Sequence, residues 1–179
     1  MVIFMTLLKY KTEYFDVYDS NCNKKGYKVL RGKALKKGEY HLVVEVITIT
    51  KDGKILVTKR HPNKNYPLHY EFTGGSVLAG ETPLIGAVRE LEEETGIYTA
   101  DVNLIFLGTV VYKETIYMDY LNIIDAELPI SLQDGETVAY KYIDQDNFLN
   151  FCKKYKFVPS AIKRFELYNE KIVELRKNS

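Results

Sequence analysis

The sequence predicts an α/β fold in which a mixed sheet carries helices on its faces and a small β-hairpin precedes the main domain. Strand-like, β-branched runs alternate along the chain with segments of helical period. Of the 179 residues, 46% are apolar and 27% charged, the balance of an ordinary globular chain rather than a disordered or fibrous one. A chain of this length buries roughly 70% of its unfolded surface, enough for a core without disulfides or a structural metal. Size predicts one globular unit, read as a β extension over 1–38 and a main domain over 39–179 that ends in a helix.

The hairpin is expected from Tyr14 to Tyr18, which alternates polar and apolar residues, a turn cluster ending at Gly26, and a second run from Tyr27 to Leu30. Tyr40 to Thr50 and Lys54 to Arg60 are two strands separated by Asp52-Gly53, a strong hairpin signal. Two prolines and two asparagines make Arg60 to Pro67 a loop. Leu68 to Thr73 reads as a short strand that stops at Gly74-Gly75. A helix follows from Pro83 to Thr95, with Thr82 as N-cap, Pro83 at its first position and Gly96 as its stop. Strands are expected at Leu104 to Tyr112, Ile116 to Ile124 and Thr137 to Ile143. A helix near Gln145 to Tyr155 comes next. The last helix, Pro159 to Leu175, sets Ile162, Phe165, Tyr168 and Ile172 on one face.

A net charge of +1 gives no basic field for nucleic acid. Cys22 and Cys152 are far apart and in no metal-ligand spacing, so neither a disulfide framework nor a cysteine metal site is expected. Met1 to Leu8 is apolar but too short to span a bilayer, with no basic segment before it or cleavage site after it; it reads as a strand or frayed end of a cytoplasmic protein.

The near-neutral total hides one concentration. From Glu81 to Ile97 there are five glutamates against one arginine, a local −4 that leaves +5 for the rest of the chain. At 100° per residue, Leu84, Val88 and Leu91 form a core stripe flanked by Ala87 and Ile85, while Glu90, Glu93 and Glu94 share another face. Carboxylates three and four apart repel, and at the end of a helix the dipole disfavours them further. Arg89, four residues before Glu93, is the one local compensation. A hard divalent cation with oxygen ligands relieves such a face, and Gly86, one turn earlier, is expected to leave room for ions and ligand. The alternative is a solvated, glutamate-rich surface.

The segment reads Gly75, five residues, Glu81, seven residues, then Arg89-Glu90-Leu91-Glu92-Glu93-Glu94-Thr95-Gly96-Ile97. It resembles the Nudix box, G-x5-E-x7-R-E-U-x-E-E-x-G-U with U aliphatic, at every defined position. Tyr70 to Gly75 resembles the strand leading into that box, and the surrounding elements fit the α/β/α sandwich of the Nudix hydrolases from about Glu39 to Phe157. The resemblance implies a Mg2+-dependent (or Mn2+-dependent) hydrolase of a small-molecule phosphoanhydride, a diphosphate linked to another group, often a nucleoside. Glu90, Glu93 and Glu94 then resemble metal ligands, with the Gly74 carbonyl a further one. Glu90 is alternatively a base, Arg89 orients the carboxylates, and Glu81 supports them. Bound metal acidifies water and screens the phosphates from it. The general base often lies downstream of the box, and Glu136, after Asp134-Gly135, is the candidate; the alternative is that it opens an exposed turn. Lys59 and Arg60 are candidates for meeting phosphate, or ordinary surface, and His41 and His61 receive no role. No nucleic acid or membrane partner is implied, and a homodimer is common in that family.

Phe15 to Asp19, the turn to Gly26 and Arg31-Gly32 further resemble the N-terminal extension of isopentenyl-diphosphate isomerases and their hydrolase relatives. The isomerases carry a catalytic cysteine on the strand entering the glycine pair; Tyr66 to Gly75 contains none. Hydrolysis is favoured over isomerisation, and over a non-catalytic nucleotide sensor, since no DNA-binding helix is appended.

Overall fold

The structure, a computed structural model, describes residues 13–179, so Met1 to Leu8 lies outside the described residues. Strands β1 (Tyr14–Tyr18) and β2 (Lys24–Leu30) form an antiparallel hairpin. Its turn sits earlier than expected. The Asp19 carboxylate accepts hydrogen bonds from the Asn21 and Asn23 amides, closing the chain before Lys24, so Gly26 falls inside β2. Phe15, Val17 and Tyr18 are buried, and Tyr18 bridges to Tyr40, which pins the hairpin onto the main sheet.

The main sheet is organised around β3 (His41–Thr50), paired along its whole length with the parallel β8 (Thr115–Ile124); β7 (Ile105–Tyr112) lies antiparallel beyond β8. On its other side β3 meets β4 (Lys54–Arg60) only at Ile49↔Ile55, next to the hairpin turn. From there β4 diverges to pair with β5 (Tyr70–Glu71) and β9 (Thr137–Asp144). The vacated edge of β3 takes β6 (Thr73–Ser76) instead. This divergence opens the sheet where the glycine pair lies. Gly74 and Gly75 are therefore ladder residues of β6, not the stop of a strand: Gly74 pairs Glu45 and Gly75 pairs Val44.

Strand β3 is apolar on both faces, as expected of a strand covered twice. Val44 and Val46 meet α1 (Pro83–Thr95) through Ala87 and Leu91; Ile47 and Ile49 meet α2 (Phe148–Lys154) and α3 (Pro159–Lys177) through Phe148, Phe165 and Ile172. The result is a helix–sheet–helix sandwich. Helix α2 is preceded by a 3-10 turn at Gln145–Asn147. Two expectations for α1 need correction. Ala87, not Leu84, sits at the centre of the buried stripe, and Ile85 on its flank is 53% exposed. No helix among the described residues is long and apolar enough to cross a membrane.

Candidate active site

Helix α1 forms where the sequence places it. Thr82 Oγ1 accepts from the Ile85 amide at 3.2 Å, Pro83 opens the helix, and Gly96 closes it at φ +71° with its amide on the Glu92 carbonyl. A left-handed cap suits glycine, which has no Cβ to clash. The helix packs on β6 and β3, so its carboxylates emerge beneath the glycine pair.

Glu94 is 2% exposed, and its Oε2 accepts from the Gly74 amide at 3.2 Å. A Cβ on Gly75 would run into the Glu90 carboxylate, so glycine there is what lets this carboxylate reach the strand. Gly86 has a different part from the one expected. It is buried against Val77 and the Glu81 carboxylate and opens onto no ligand space. It lets α1 approach the β6–α1 connection.

Arg89 organises the row. Its guanidinium grips Glu81 through Nε at 2.8 Å and Nη2 at 3.0 Å. It also donates to Glu90 at 2.8 Å, Glu93 at 3.0 Å and the Ser76 carbonyl at 3.1 Å. Glu81 in turn accepts from the Leu78 amide at 2.9 Å, so it acts as a brace between the connection and Arg89.

The second cation was not foreseen. Lys64, from the loop after β4, places Nζ 2.7 Å from Glu136, 3.6 Å from Glu94 and 3.9 Å from Glu71. Burial works to lower the Lys64 pKa, but Glu94, Glu71 and Glu136 outweigh it and the net movement is upward. Glu94 is pushed up to about 8, first by burial and then by Glu71 and Glu90. Burial likewise raises Glu90 against the pull of Arg89.

Arg89, Lys64, Glu90, Glu94 and Glu136 line a cleft of about 80 Å³ together with Gly74, Gly75, Glu93, Glu13, Arg31 and Gln133, with Glu71 behind Lys64. Of the site residues expected from sequence, Glu90, Glu93, Glu94, Glu136, Arg89 and Gly74 meet here. Lys59 and Arg60 do not line it. Lys59 Nζ lies 5.6 Å from the centre of the Tyr70 ring, and Arg60 is ion-paired with Glu71. Sequence reading missed Lys64, Glu71, Glu13, Gln133 and the part of Arg31, which pairs with Glu13 at the rim.

The donor set fits a hard divalent cation. Every ligating candidate is a carboxylate or carbonyl oxygen, and burial, followed by repulsion from Glu71 and Glu90, already pushes Glu94 toward protonation. Among the described residues no three such groups stand as a finished ligand set, because Arg89 and Lys64 occupy the carboxylates.

The NUDIX domain family model matches residues 39–164. An uncharacterized Nudix hydrolase of Listeria innocua is 32% identical over 146 residues, 78% of this chain and 86% of that protein. Nudix hydrolase 3 of Arabidopsis thaliana is 30% identical over 158 residues, but the match covers only 20% of that longer protein against 79% of this chain. The fold of DR0079 from Deinococcus radiodurans superposes with a TM-score of 0.66 at 20% identity, over 79% of this chain and 90% of that one. The NUDIX domain of Shewanella oneidensis NrtR, solved with ADP ribose, gives 0.63 at 16% identity over 96% and 99%.

Proposed function

Because the chain belongs to the Nudix hydrolase family, whose members act on small-molecule phosphate substrates, we propose that it is a Mg2+-dependent pyrophosphohydrolase. Its substrate is a diphosphate linked to a second group, a nucleoside diphosphate derivative being the leading class. Relatives over shorter stretches include an ADP-ribose pyrophosphatase of Bacillus subtilis, 39% identical over 71 residues. The observation that carries the reading is the cleft in which Glu90, Glu93, Glu94 and Glu136 converge around Arg89 and Lys64.

In this reading Glu90, Glu93 and Glu94, with the Gly74 carbonyl, are the residues that would hold Mg2+ or Mn2+. When bound, such an ion acidifies water and neutralises the diphosphate. The chain's own residues do the rest. Arg89 keeps Glu90 and Glu93 on one side of the cleft. Glu136, 39% exposed at its side chain and facing the cleft from another element, takes the proton of the attacking water. Lys64, released from Glu136 and Glu94, meets the phosphate that replaces them as counter-ion. Neither cysteine lines the cleft, and burial pushes the Cys152 thiol up to about 12, so the isomerase alternative lacks its nucleophile.

The test is a panel of nucleoside diphosphate derivatives with Mg2+ or Mn2+, with phosphate-containing products identified. Wild-type protein hydrolyses at least one, and Glu93→Gln lowers kcat/KM at least about 10²-fold. No turnover across the panel, or a fully active Glu93→Gln protein, removes the reading.

A further inference from the structure

We propose that the tyrosine-lined cavity between the β7–β8 hairpin and the start of α3 binds the group carried by the diphosphate. We assign that group as one that carries an aromatic ring system and an anionic group besides the diphosphate itself. The proposal deepens the hydrolase reading and rests on it for the position of the diphosphate.

The acidic cleft holds only about 80 Å³. That suits ions and phosphate oxygens, whereas sites for organic ligands run to roughly 300–1,000 Å³. The tyrosine cavity holds about 310 Å³ and is lined by Tyr66, Tyr112, Tyr117, Lys113, Lys163 and Arg164 among others. Two connections join it to the cleft. Arg164, which stacks on Tyr117, is ion-paired with Glu45, the residue opposite the cleft-lining Gly74 in the β3–β6 ladder. Tyr66 follows Lys64 by two residues, a reach of at most about 7 Å. One loop thus supplies a cation to the cleft and a ring to the cavity.

The chemistry of the lining selects the ligand. The Arg164 guanidinium lies 3.9 Å from the centre of the Tyr117 ring and is itself fixed by Glu45 at 2.6 Å and Asp119 at 3.0 Å, so that ring is a rigid platform. Tyr66 and Tyr112, each 53% exposed, offer further ring faces. No acidic side chain lines the cavity, while Lys113 and Lys163 do. The 19-residue α3 also begins at this cavity, without a side-chain cap on its first amides. The two lysines and the helix start favour negative charge, and the tyrosine rings favour a stacked aromatic group.

The backbone agrees. Of the four non-glycine residues with positive φ among the described residues, Tyr66 and Lys113, both at +54°, line this one cavity. Lys113 occupies the first position of a two-residue hairpin loop, where glycine is the inexpensive choice. Residues held in such conformations cluster at ligand-binding places.

A rival surface beside Tyr98 shares Arg89 and Glu93 with the cleft, but its lining adds Glu92 and Asp101. Its one cation, Arg89, is consumed by Glu81, Glu90 and Glu93, so an anionic ligand is repelled there.

The experiment measures binding of AMP, UMP and adenosine 2′,5′-bisphosphate by calorimetry in chelator, beside KM on any panel substrate that turns over with Mg2+. Tyr66→Ala weakens nucleotide binding and raises KM roughly 10-fold, the loss of one stacking partner, with kcat little changed. Lys163→Gln abolishes the advantage of the bisphosphate over AMP. Tyr98→Ala changes neither. The proposal is overturned if none of the three nucleotides binds wild-type protein, or if Tyr98→Ala weakens binding and Tyr66→Ala does not. Turnover with KM indifferent to Tyr66→Ala and Lys163→Gln overturns it alone and leaves the hydrolase reading intact. Nucleotide binding lost in Tyr66→Ala, in a protein that hydrolyses nothing, supports the cavity as a nucleotide-binding site while the hydrolase reading falls.

Discussion

Two groups of acids sit close together in this protein and are handled in opposite ways. In the cleft, Glu90, Glu93, Glu94 and Glu136 line one opening, with Glu94 at its buried end, and are held by the side chains of Arg89 and Lys64, both about one-fifth exposed. Behind it, Glu45 on β3 and Asp119 on β8 stand directly opposite each other and share the single guanidinium of Arg164, with all three buried. The first arrangement can exchange its cations for others. The second cannot, because its carboxylates are closed off by the packing around them, and Glu45 leaves one carboxylate oxygen without a partner among the protein atoms. Similar chemistry thus gives a site in one place and a structural knot in the other: the cleft opens to solvent at Glu93 and Glu136, although Glu94 at its floor is as buried as the knot, which has no such opening on its carboxylates.

The largest effect is expected in the knot. Removing one partner of a buried charge network leaves the others uncompensated, at about 3–5 kcal/mol. Arg164→Met should therefore lower stability by that amount in urea unfolding. Adding Glu45→Leu and Asp119→Asn to the same protein should recover most of the loss, since replacing a whole buried network by apolar and neutral groups is near neutral. A mild Arg164→Met, with no rescue to observe, would mean the knot is not the rigid element described.

The next effect separates the two regions by pH. Glu94 is pushed up to about 8 by burial and by Glu71, and Asp119 up to about 7 by burial and by Glu45. Both exceed the unfolded carboxylate range of about 4. The native state then binds protons that the unfolded state has released, so this stabilisation is complete below about pH 4 and is lost as pH rises through about 7 to 8. Thermal unfolding in chelator should show Tm falling over that range. Mg2+ should restore the share that belongs to the cleft, and Glu94→Gln should remove that share without Mg2+. The share of Asp119 should persist in both cases. A Tm that is flat from about pH 5 to 8 in chelator would contradict the assigned shifts.

The two regions were also unequally legible. The cleft's core lies on one helix, where composition, caps and spacing are local, so Glu90, Glu93, Glu94 and Arg89 could be read directly. Glu136 was reachable as an acid at a turn before a strand. Lys64 was not: its loop is marked by prolines and asparagines that say nothing of where a lysine among them reaches, and what brings its ammonium to Glu94 is the divergence of β4 from β3 after Ile49↔Ile55. The knot left a weaker trace, single acids inside apolar runs at Val44-Glu45-Val46 and Met118-Asp119-Tyr120 and a lone arginine on the buried face of α3. Their pairing depends on parallel register, which no local pattern carries. Gly86 was misread because periodicity places a residue on a face without saying what packs there.

The smallest expected effect is the most local to the comparison. Gly75 is tied to Val44 in the ladder and has the Glu90 carboxylate where its Cβ would stand. In Gly75→Ala the backbone of β6 is fixed by Arg89 on the Ser76 carbonyl as well as by β3, so the carboxylate is the part that yields. Glu90 can swing only by loosening its bond to Arg89. Crowding of this kind amounts to about 1–3 kcal/mol, and it should appear mainly as weaker Mg2+ binding, read by calorimetry, with the urea midpoint shifted less than in Arg164→Met. A Gly75→Ala protein that binds Mg2+ as the wild type does would show that Glu90 is free to move, and would leave Glu93 and Glu94 as the fixed part of the site.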